Sequence, residues 1–254
     1  IIKYLATNPG IECVVSVAGA TQQHVDTVET VFTNNRISCP LMFTNQPESM
    51  NNLKSKSIPL HSVLHGADCF LESQGIELTN FNIGLGIIAD HTEYKKYDDL
   101  SEGEETYHVI HHEKSTDTKH RADFLDDTTA NTSNLDQNAP DIVAPIMHMY
   151  PLYGKYDRCE VVTNDYFPQS FFDSIFYGNK TFIVSDHDLS SSLTSTLNLP
   201  AGLVKGSGEE VDFSEVRNKV LSNHTGISRV ARILSKMKCS DLESKAKKLI
   251  KELV

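Results

Sequence analysis

Residues 161–186 read VVTNDYFPQSFFDSIFYGNKTFIVSD, and the pattern of this stretch changes twice. An apolar run ends at Thr163, a polar turn leads to Pro168, and an amphipathic segment extends to Gly178, after which a second apolar run begins. Proline suits the first turn of a helix because its ring fixes φ and its missing N–H would have no partner there. The stretch therefore predicts a strand, a turn, a helix and a strand, the repeating unit of an α/β fold.

The same alternation continues outward along most of the chain. The apolar runs show no in-and-out alternation, which is typical of parallel strands buried on both faces. Between them, apolar residues recur at helical spacing, as at Val25, Val28 and Phe32. The sequence thus predicts the α/β class, with mostly parallel sheets and helices on both faces. Predicted strands include residues 37–45, 67–71, 80–90, 142–149, 159–163 and 181–185, and predicted helices include residues 168–177 and 189–198.

A polar and acidic region separates two predicted lobes. Residues 1–90 form the first α/β lobe, and residues 141–254 form a second lobe with a helical C-terminus. Residues 91–140 have turn-forming, charged composition, so we expect an insertion or linker with room for one short strand at residues 107–110. Four histidines of this region, His108, His111, His112 and His120, lack a reliable metal-ligand spacing, and we predict no metal.

Composition limits the classes of partner. The net charge of -11 argues against nucleic acid, since phosphate binding needs a concentrated basic face. No apolar run reaches the roughly 20 residues that span a bilayer, so we expect a soluble protein without a membrane span. The five scattered cysteines favour a reducing, cytoplasmic setting, although sequons at Asn131, Asn179 and Asn223 leave a secretory route open. The first residue is Ile1, so we also expect a processed product or a fragment of a longer chain.

The turn after residue 163 is a candidate ligand site. In parallel α/β sheets, ligands bind beyond the carboxyl ends of the strands, where helix N-termini present amides without partners. Ser170 and Asp173 lie one turn apart near such a helix start, suiting a phosphate and a ribose. The alternative is that Asn164 or Asp165 caps the helix and Asp173 faces water.

These residues carry a family resemblance that covers residues 140–238. The strand RCEVVT, the Ser170-Phe-Phe-Asp173-Ser motif, Gly178, TFIVS, the Asp186-His-Asp188 triplet and PAGLVKG resemble the nucleotide-binding C-terminal half of GT-B glycosyltransferases of the UDP-glycosyltransferase type. The resemblance implies Rossmann-like GT-B lobes, a UDP-sugar donor and no other cofactor. It also implies that Asn164 and Ser170 contact the diphosphate, Asp173 the ribose, and Asp186 or Asp188 the donor sugar.

The chain departs from the family pattern at several positions. Asp165, Tyr166 and Phe167 replace the glycines that allow close backbone approach to phosphate, and no glutamine follows the acidic triplet. His24 and His61 have the character of surface residues, so no catalytic residue is assigned. We therefore expect a nucleotide-sugar-dependent glycosyltransferase-like protein. The alternatives are a non-catalytic binding or structural subunit with a protein partner or as a homo-oligomer, and a nucleotide-sugar epimerase.

Overall fold

The computed structural model describes residues 1–17, 21–44, 52–64, 66–67, 85–88, 107–112, 142–144, 153–154, 156–163, 167–177 and 180–253. The chain divides into two compact units, one of Ile1–His65 with Gly226–Val254 and one of Gly66–Thr225. Each unit holds a sheet in which every strand pairing is parallel. The predicted α/β class and parallel sheets are therefore confirmed.

The described elements follow one another in chain order. The strands are β1 (Val15–Ser16), β2 (Met42–Thr44), β3 (Leu60–Ser62), β4 (Leu85–Ile88), β5 (Tyr107–His112), β6 (Ile142–Ala144), β7 (Arg158–Val162) and β8 (Lys180–Val184). The α-helices are α1 (Ile2–Thr7), α2 (Gln22–Asn34), α3 (Gln169–Tyr177), α4 (Ser190–Ser192), α5 (Phe213–Asn223), α6 (Gly226–Lys236) and α7 (Ser240–Leu253). A π-helix, Leu193–Leu197, continues α4, and a 3-10 turn covers Ala201–Leu203.

Helix α2 supplies much of the core of the first unit. Its Val25 and Phe32 are buried against Met42 of β2 and Ile58, as the helical spacing predicts. The sheet has the order β1-β2-β3. In the same unit, α6 and α7 pack against each other. His24 is exposed at the start of α2, where its Nδ1 accepts a hydrogen bond from the Thr21 amide at 3.2 Å. This confirms that His24 is a surface residue and gives it a capping role.

A buried carboxylate ties α2 to the loop before β3. Glu29 Oε1 accepts hydrogen bonds from the hydroxyls of Ser55 (2.6 Å) and Ser57 (2.9 Å) and from the amides of Lys56 (2.8 Å), Ser57 (2.7 Å) and Ile58 (3.2 Å). Burial raises the pKa of this carboxyl, but the hydrogen bonds outweigh it and lower the pKa to about 2. The loop is therefore organised around an ionised side chain.

The second unit contains the longer sheet. Its strand order is β6-β5-β4-β7-β8. Numbered among the described strands of the unit, the order is 3-2-1-4-5, which is that of doubly wound α/β sheets, with a topological switch point between β4 and β7. Val204 forms a further parallel bridge with Ile183 beyond β8. The short strand expected at residues 107–110 is confirmed as β5, while the remainder of the acidic insertion lies outside the described residues.

The units differ from the lobes expected at residues 1–90 and 141–254. β4 pairs with β7 in the second unit, and α6 and α7 group with the first unit. A buried parallel strand reads as an uninterrupted apolar run whichever neighbour it pairs with, so the sequence of β4 carries no signal for its sheet. The predicted helix at residues 189–198 begins as α4 and continues as the π-helix.

A backbone hydrogen bond and a β-bridge connect the first and last residues of the second unit. Ala67 pairs in parallel with Thr225, and the Ala67 amide donates to the His224 carbonyl at 2.7 Å. Gly66 lies so close that an added Cβ would come within 2.7 Å of the Thr225 carbonyl carbon and oxygen. This pairing requires glycine at position 66 for space.

Removing the Glu29 carboxylate should destabilise the fold. In Glu29→Ala, three amides and two hydroxyls lose their acceptor, at a cost of about 2 kcal/mol in the free energy of unfolding at pH 7. Because the folded pKa lies below the usual 4.5, this stabilisation is complete above pH 4.5 and is lost as pH falls towards 2. Urea denaturation across that range measures it. Asp26→Ala, which removes an exposed acceptor one turn away, is the control; an equal loss for both variants contradicts the assignment.

Gly66→Ala should also be destabilising, by about 1–3 kcal/mol, because the new methyl group meets backbone atoms that cannot move independently. Gly10→Ala is the matched control, since a Cβ there would have nothing within 4 Å. Thermal unfolding of both variants measures the difference. A Gly66→Ala protein as stable as Gly10→Ala would show that the 66–67 and 224–225 segments separate at little cost.

Candidate functional site

The carboxyl ends of β7 and β8 lie side by side. Val162 is the register partner of Val184, and the Thr163 amide donates to the Val184 carbonyl at 3.0 Å. On the other side of β7, Ile88 at the end of β4 pairs with Val161. The turn after β7 therefore starts at the switch point of the sheet, where doubly wound folds leave a crevice for ligands.

Asn164, the residue expected to contact a diphosphate, lies outside the described residues together with Asp165 and Tyr166. Phe167 follows them and is buried, with its ring 5.7 Å from that of Phe171. Pro168 directly precedes α3, one position before its first residue, as its fixed φ favours. Phe167 is therefore packed onto the helix.

Ser170 and Asp173 lie on α3 as predicted, but both are buried. Their exposed fractions are 9% and 2%, and the phenyl rings of Phe171 and Phe172 between them are fully buried. The neighbouring Ser174 is also buried, and its hydroxyl donates to the Phe171 carbonyl at 3.0 Å. The alternative in which Asp173 faces water is wrong, because α3 is covered over more than one face.

Asp186 and Asp188 lie in the turn after β8 and are both exposed. Asp186 Oδ1 is 3.5 Å from His187 Nε2. Asp188 Oδ1 accepts a hydrogen bond from the Ser190 amide at 2.9 Å, at the start of α4. The hydrogen bonds from Ser190 lower the pKa of the Asp188 carboxyl. Of the two acids proposed for a donor sugar, Asp188 thus accepts the amide of the first residue of α4, and Asp186 lies beside His187 in the same turn.

A buried histidine, His224, packs against α3. The ring of His224 stacks on Phe172 at 5.8 Å, and its Nε2 donates to the Leu197 carbonyl at 2.8 Å, which requires a proton on Nε2. Its exposed fraction is 3%. This histidine serves as a core residue that connects α3 to the π-helix.

His61, in β3 of the first unit, has its pKa lowered by partial burial and by Lys236.

Sequence reasoning missed a charged cavity on the face of β7 and β8. It has a volume of about 270 Å³, and Arg158, Glu160, Phe182, Val204, Lys205 and the glycines Gly202, Gly206 and Gly208 are among the residues that line it. Lys205 Nζ lies 2.7 Å from Glu160 Oε2, and Arg158 Nε lies 3.4 Å from Glu160 Oε1. An acid inside the apolar run RCEVV was the available signal, because a charge within a buried strand requires partners.

Comparisons with known proteins found no relative that indicates what the site binds. No family model, curated protein or solved structure matches the chain. Within the part of the chain that the structure describes, no helix is both long and apolar enough to cross a membrane. Across those same residues, no group of three or more histidine, cysteine or acidic side chains is arranged to hold a metal ion.

The two exposed acids after β8 should respond differently to substitution. Asp188→Ala removes the acceptor of the Ser190 amide, so its thermal midpoint should fall. Asp186→Ala should change the midpoint little, because exposed ion pairs contribute little to stability. Since the folded pKa of Asp188 is lowered, its effect should be full at neutral pH and fade as pH falls below the usual carboxyl range. Calorimetry at pH 7 and pH 3 tests this, and equal midpoints for the two variants at pH 7 would oppose it.

Proposed function

We propose that the second unit is a glycosyltransferase-like domain that binds a nucleotide-sugar, of the UDP-sugar type, at the carboxyl ends of β4 and β7. The observation that carries the proposal is the parallel strand order β6-β5-β4-β7-β8, with α3 as the next described helix after β7, one of the two strands at the switch point. In such sheets the crevice at the switch point is the usual ligand site. The resemblance of residues 140–238 to UDP-glycosyltransferases supports the choice of ligand, and Rossmann-like lobes of GT-B type are the fold that it implies.

Helix α3 would hold the phosphates. The Phe171 amide donates to the Pro168 carbonyl at 3.1 Å, so the amides of Gln169 and Ser170 would be the donors to an anion, which the positive end of the helix dipole also favours. Ser170, in this first turn, would add a hydroxyl, and Asn164 would approach from the preceding turn. Asp173, one turn further on, would accept hydrogen bonds from the ribose hydroxyls. The diphosphate would then lie over the switch point.

Asp186 would contact the donor sugar. It follows β8, the neighbour of β7, and its side chain is 41% exposed. Asp188 is the weaker candidate because its carboxylate already accepts the Ser190 amide. A carboxylate that contacts only the sugar discriminates between UDP-sugar and UDP. This separation of roles makes Asp186 the most informative residue of the proposed site.

A second candidate, a non-catalytic subunit, is favoured by a different observation. Ser170 and Asp173 are almost wholly buried, and Phe167 packs onto α3 where the family's glycine turn leaves space. A protein partner or self-association would then be the function. Leu242 and Leu249 support this reading, since they lie seven residues apart on α7 and are each about half exposed.

Ligand-induced stabilisation tests the first candidate. UDP and UDP-glucose at millimolar concentration should raise the thermal midpoint of the whole chain, as any ligand does that binds only the folded state. Asp173→Asn, which keeps the size of the side chain, should abolish both shifts. Asp186→Asn should weaken the UDP-glucose shift and leave the UDP shift unchanged. Glu215→Gln, an exposed helical acid paired with Lys219, is the control.

Two outcomes would reject nucleotide binding. One is the absence of a shift with UDP, UDP-glucose or other nucleotides at millimolar concentration. The other is a shift that Asp173→Asn and Asp186→Asn leave intact. Sedimentation of the same samples tests the second candidate, which requires an oligomer that persists on dilution and is weakened by Leu242→Ser with Leu249→Ser. A monomer at all concentrations would oppose self-association.

A further inference from the structure

Two cysteines of the first unit lie opposite each other, just before β1 and β2. The Cys13 amide donates to the Ser38 carbonyl at 3.0 Å. In a parallel pairing, a residue lies opposite the one that follows its acceptor, so Cys13 faces Cys39. Val15 of β1 obeys the same rule, because its amide donates to the residue before its register partner, Met42. The pairing of the two strands thus extends backwards as far as the two cysteines.

The two side chains lie on the same side of this pairing. Both are half-buried, both pack against the hydrophobic core of the first unit, and both thiols are free. The Cys39 thiol donates to the Leu41 carbonyl at 3.4 Å, and the Val15 amide donates to the Cys39 sulfur. Because Val15 belongs to the segment that carries Cys13, the Cys39 side chain extends towards that segment.

The spacing of the two backbones fits a disulfide. Neighbouring strands lie about 4.8 Å apart. The Cα atoms of disulfide-bonded cysteines lie roughly 4.4–6.8 Å apart, so opposite residues of paired segments fall within the range. Side chains of opposite residues also project from one face of the pair. Rotation of the two side chains therefore suffices to bring the sulfur atoms together.

We propose that Cys13 and Cys39 form a reversible disulfide that closes the first unit around α2. The loop between the two cysteines contains the whole of this helix, Gln22–Asn34. A disulfide stabilises a protein mainly by restricting its unfolded chain, and the effect grows with the length of the closed loop. The bond is therefore a lock on the first unit that operates under oxidising conditions. It involves no residue of the proposed nucleotide-sugar site.

A small disulfide such as oxidised glutathione supplies the oxidising equivalents. The Cys13 thiolate attacks one sulfur of oxidised glutathione, which leaves a mixed disulfide on Cys13 and releases one glutathione. The Cys39 thiolate then attacks the Cys13 sulfur, so the Cys13–Cys39 bond forms and the second glutathione leaves. The two protons of the cysteine thiols end on the two released glutathione molecules.

The order of these two steps follows from the surroundings of Cys39. Burial raises the pKa of the Cys39 thiol to about 11, and the neighbouring Cys13 contributes to the rise. A thiol that is seldom ionised attacks a dissolved disulfide slowly. Cys39 is therefore suited to the second step, in which the sulfur that it attacks is already beside it.

Peptide mapping of the full chain tests the bond. The chain is incubated with oxidised glutathione, its remaining thiols are blocked with iodoacetamide, and a digest is analysed by mass spectrometry. The expected product is a cross-linked peptide pair that joins Cys13 to Cys39. The thermal midpoint should rise by an amount on the order of 5 °C on oxidation, and dithiothreitol should reverse the rise.

Serine variants assign the rise in midpoint to the bond. Cys13→Ser and Cys39→Ser should each abolish it. Cys239→Ser is the matched control, since Cys239 is a half-buried cysteine of the same unit, and this variant should respond to oxidation as the wild type does.

Three results would overturn the proposal. The first is a map in which Cys13 and Cys39 stay free, carry only glutathione or pair with other cysteines. The second is an unchanged midpoint in a chain that has the Cys13–Cys39 bond, and the third is a rise that persists in Cys39→Ser. The map is made on the wild-type chain, so it decides the question even where a serine variant does not fold.

Discussion

β7 pairs with β4 on one side and with β8 on the other. These two pairings determine which strand ends and side chains of the second unit lie together. A strand inside a sheet must satisfy its amides and carbonyls on both edges, so its register is fixed by both neighbours. The register sets Val162 beside Val184 and Glu160 beside Phe182. The first pair brings the carboxyl ends of β7 and β8 together at one edge of the sheet. The second pair places Glu160 and Phe182 on the face of the sheet that carries the charged cavity.

Local structure around this strand is readable from sequence to within one residue. The predicted segments 159–163, 168–177 and 181–185 appear as Arg158–Val162, Gln169–Tyr177 and Lys180–Val184. The signals are local: apolar runs, helical spacing and a proline at a helix start. The pairing of β4 with β7 and the grouping of α6 and α7 with the first unit join segments far apart in the chain. Apolar strands resemble one another, so their sequences do not encode which neighbour they take.

The difference between local signals and long-range pairing also explains the results for the candidate sites. The places of Ser170 and Asp173 on one helix, one turn apart, follow from spacing alone. Their burial depends on what packs over α3, and that includes the ring of His224, which is remote in sequence. The partner of Glu160 is equally remote, because Lys205 lies 45 residues further along the chain. The sequence showed an acid in a buried strand, and only the fold could identify its partners.

The two units hold buried acids by different means, with different physical consequences. Glu29 is surrounded by backbone amides and hydroxyls, dipoles that salt does not screen, and its pKa is lowered to about 2. Glu160 instead faces two charged side chains that are partly exposed, and salt weakens such pairs. An amide cage fixes its loop in one conformation. Glu160 is itself only 1% exposed, so drawing Lys205 away from it would weaken the compensation of a buried charge. Glu29 therefore holds its loop through uncharged dipoles, whereas Glu160 connects β7 to the segment after the 3-10 turn through charge.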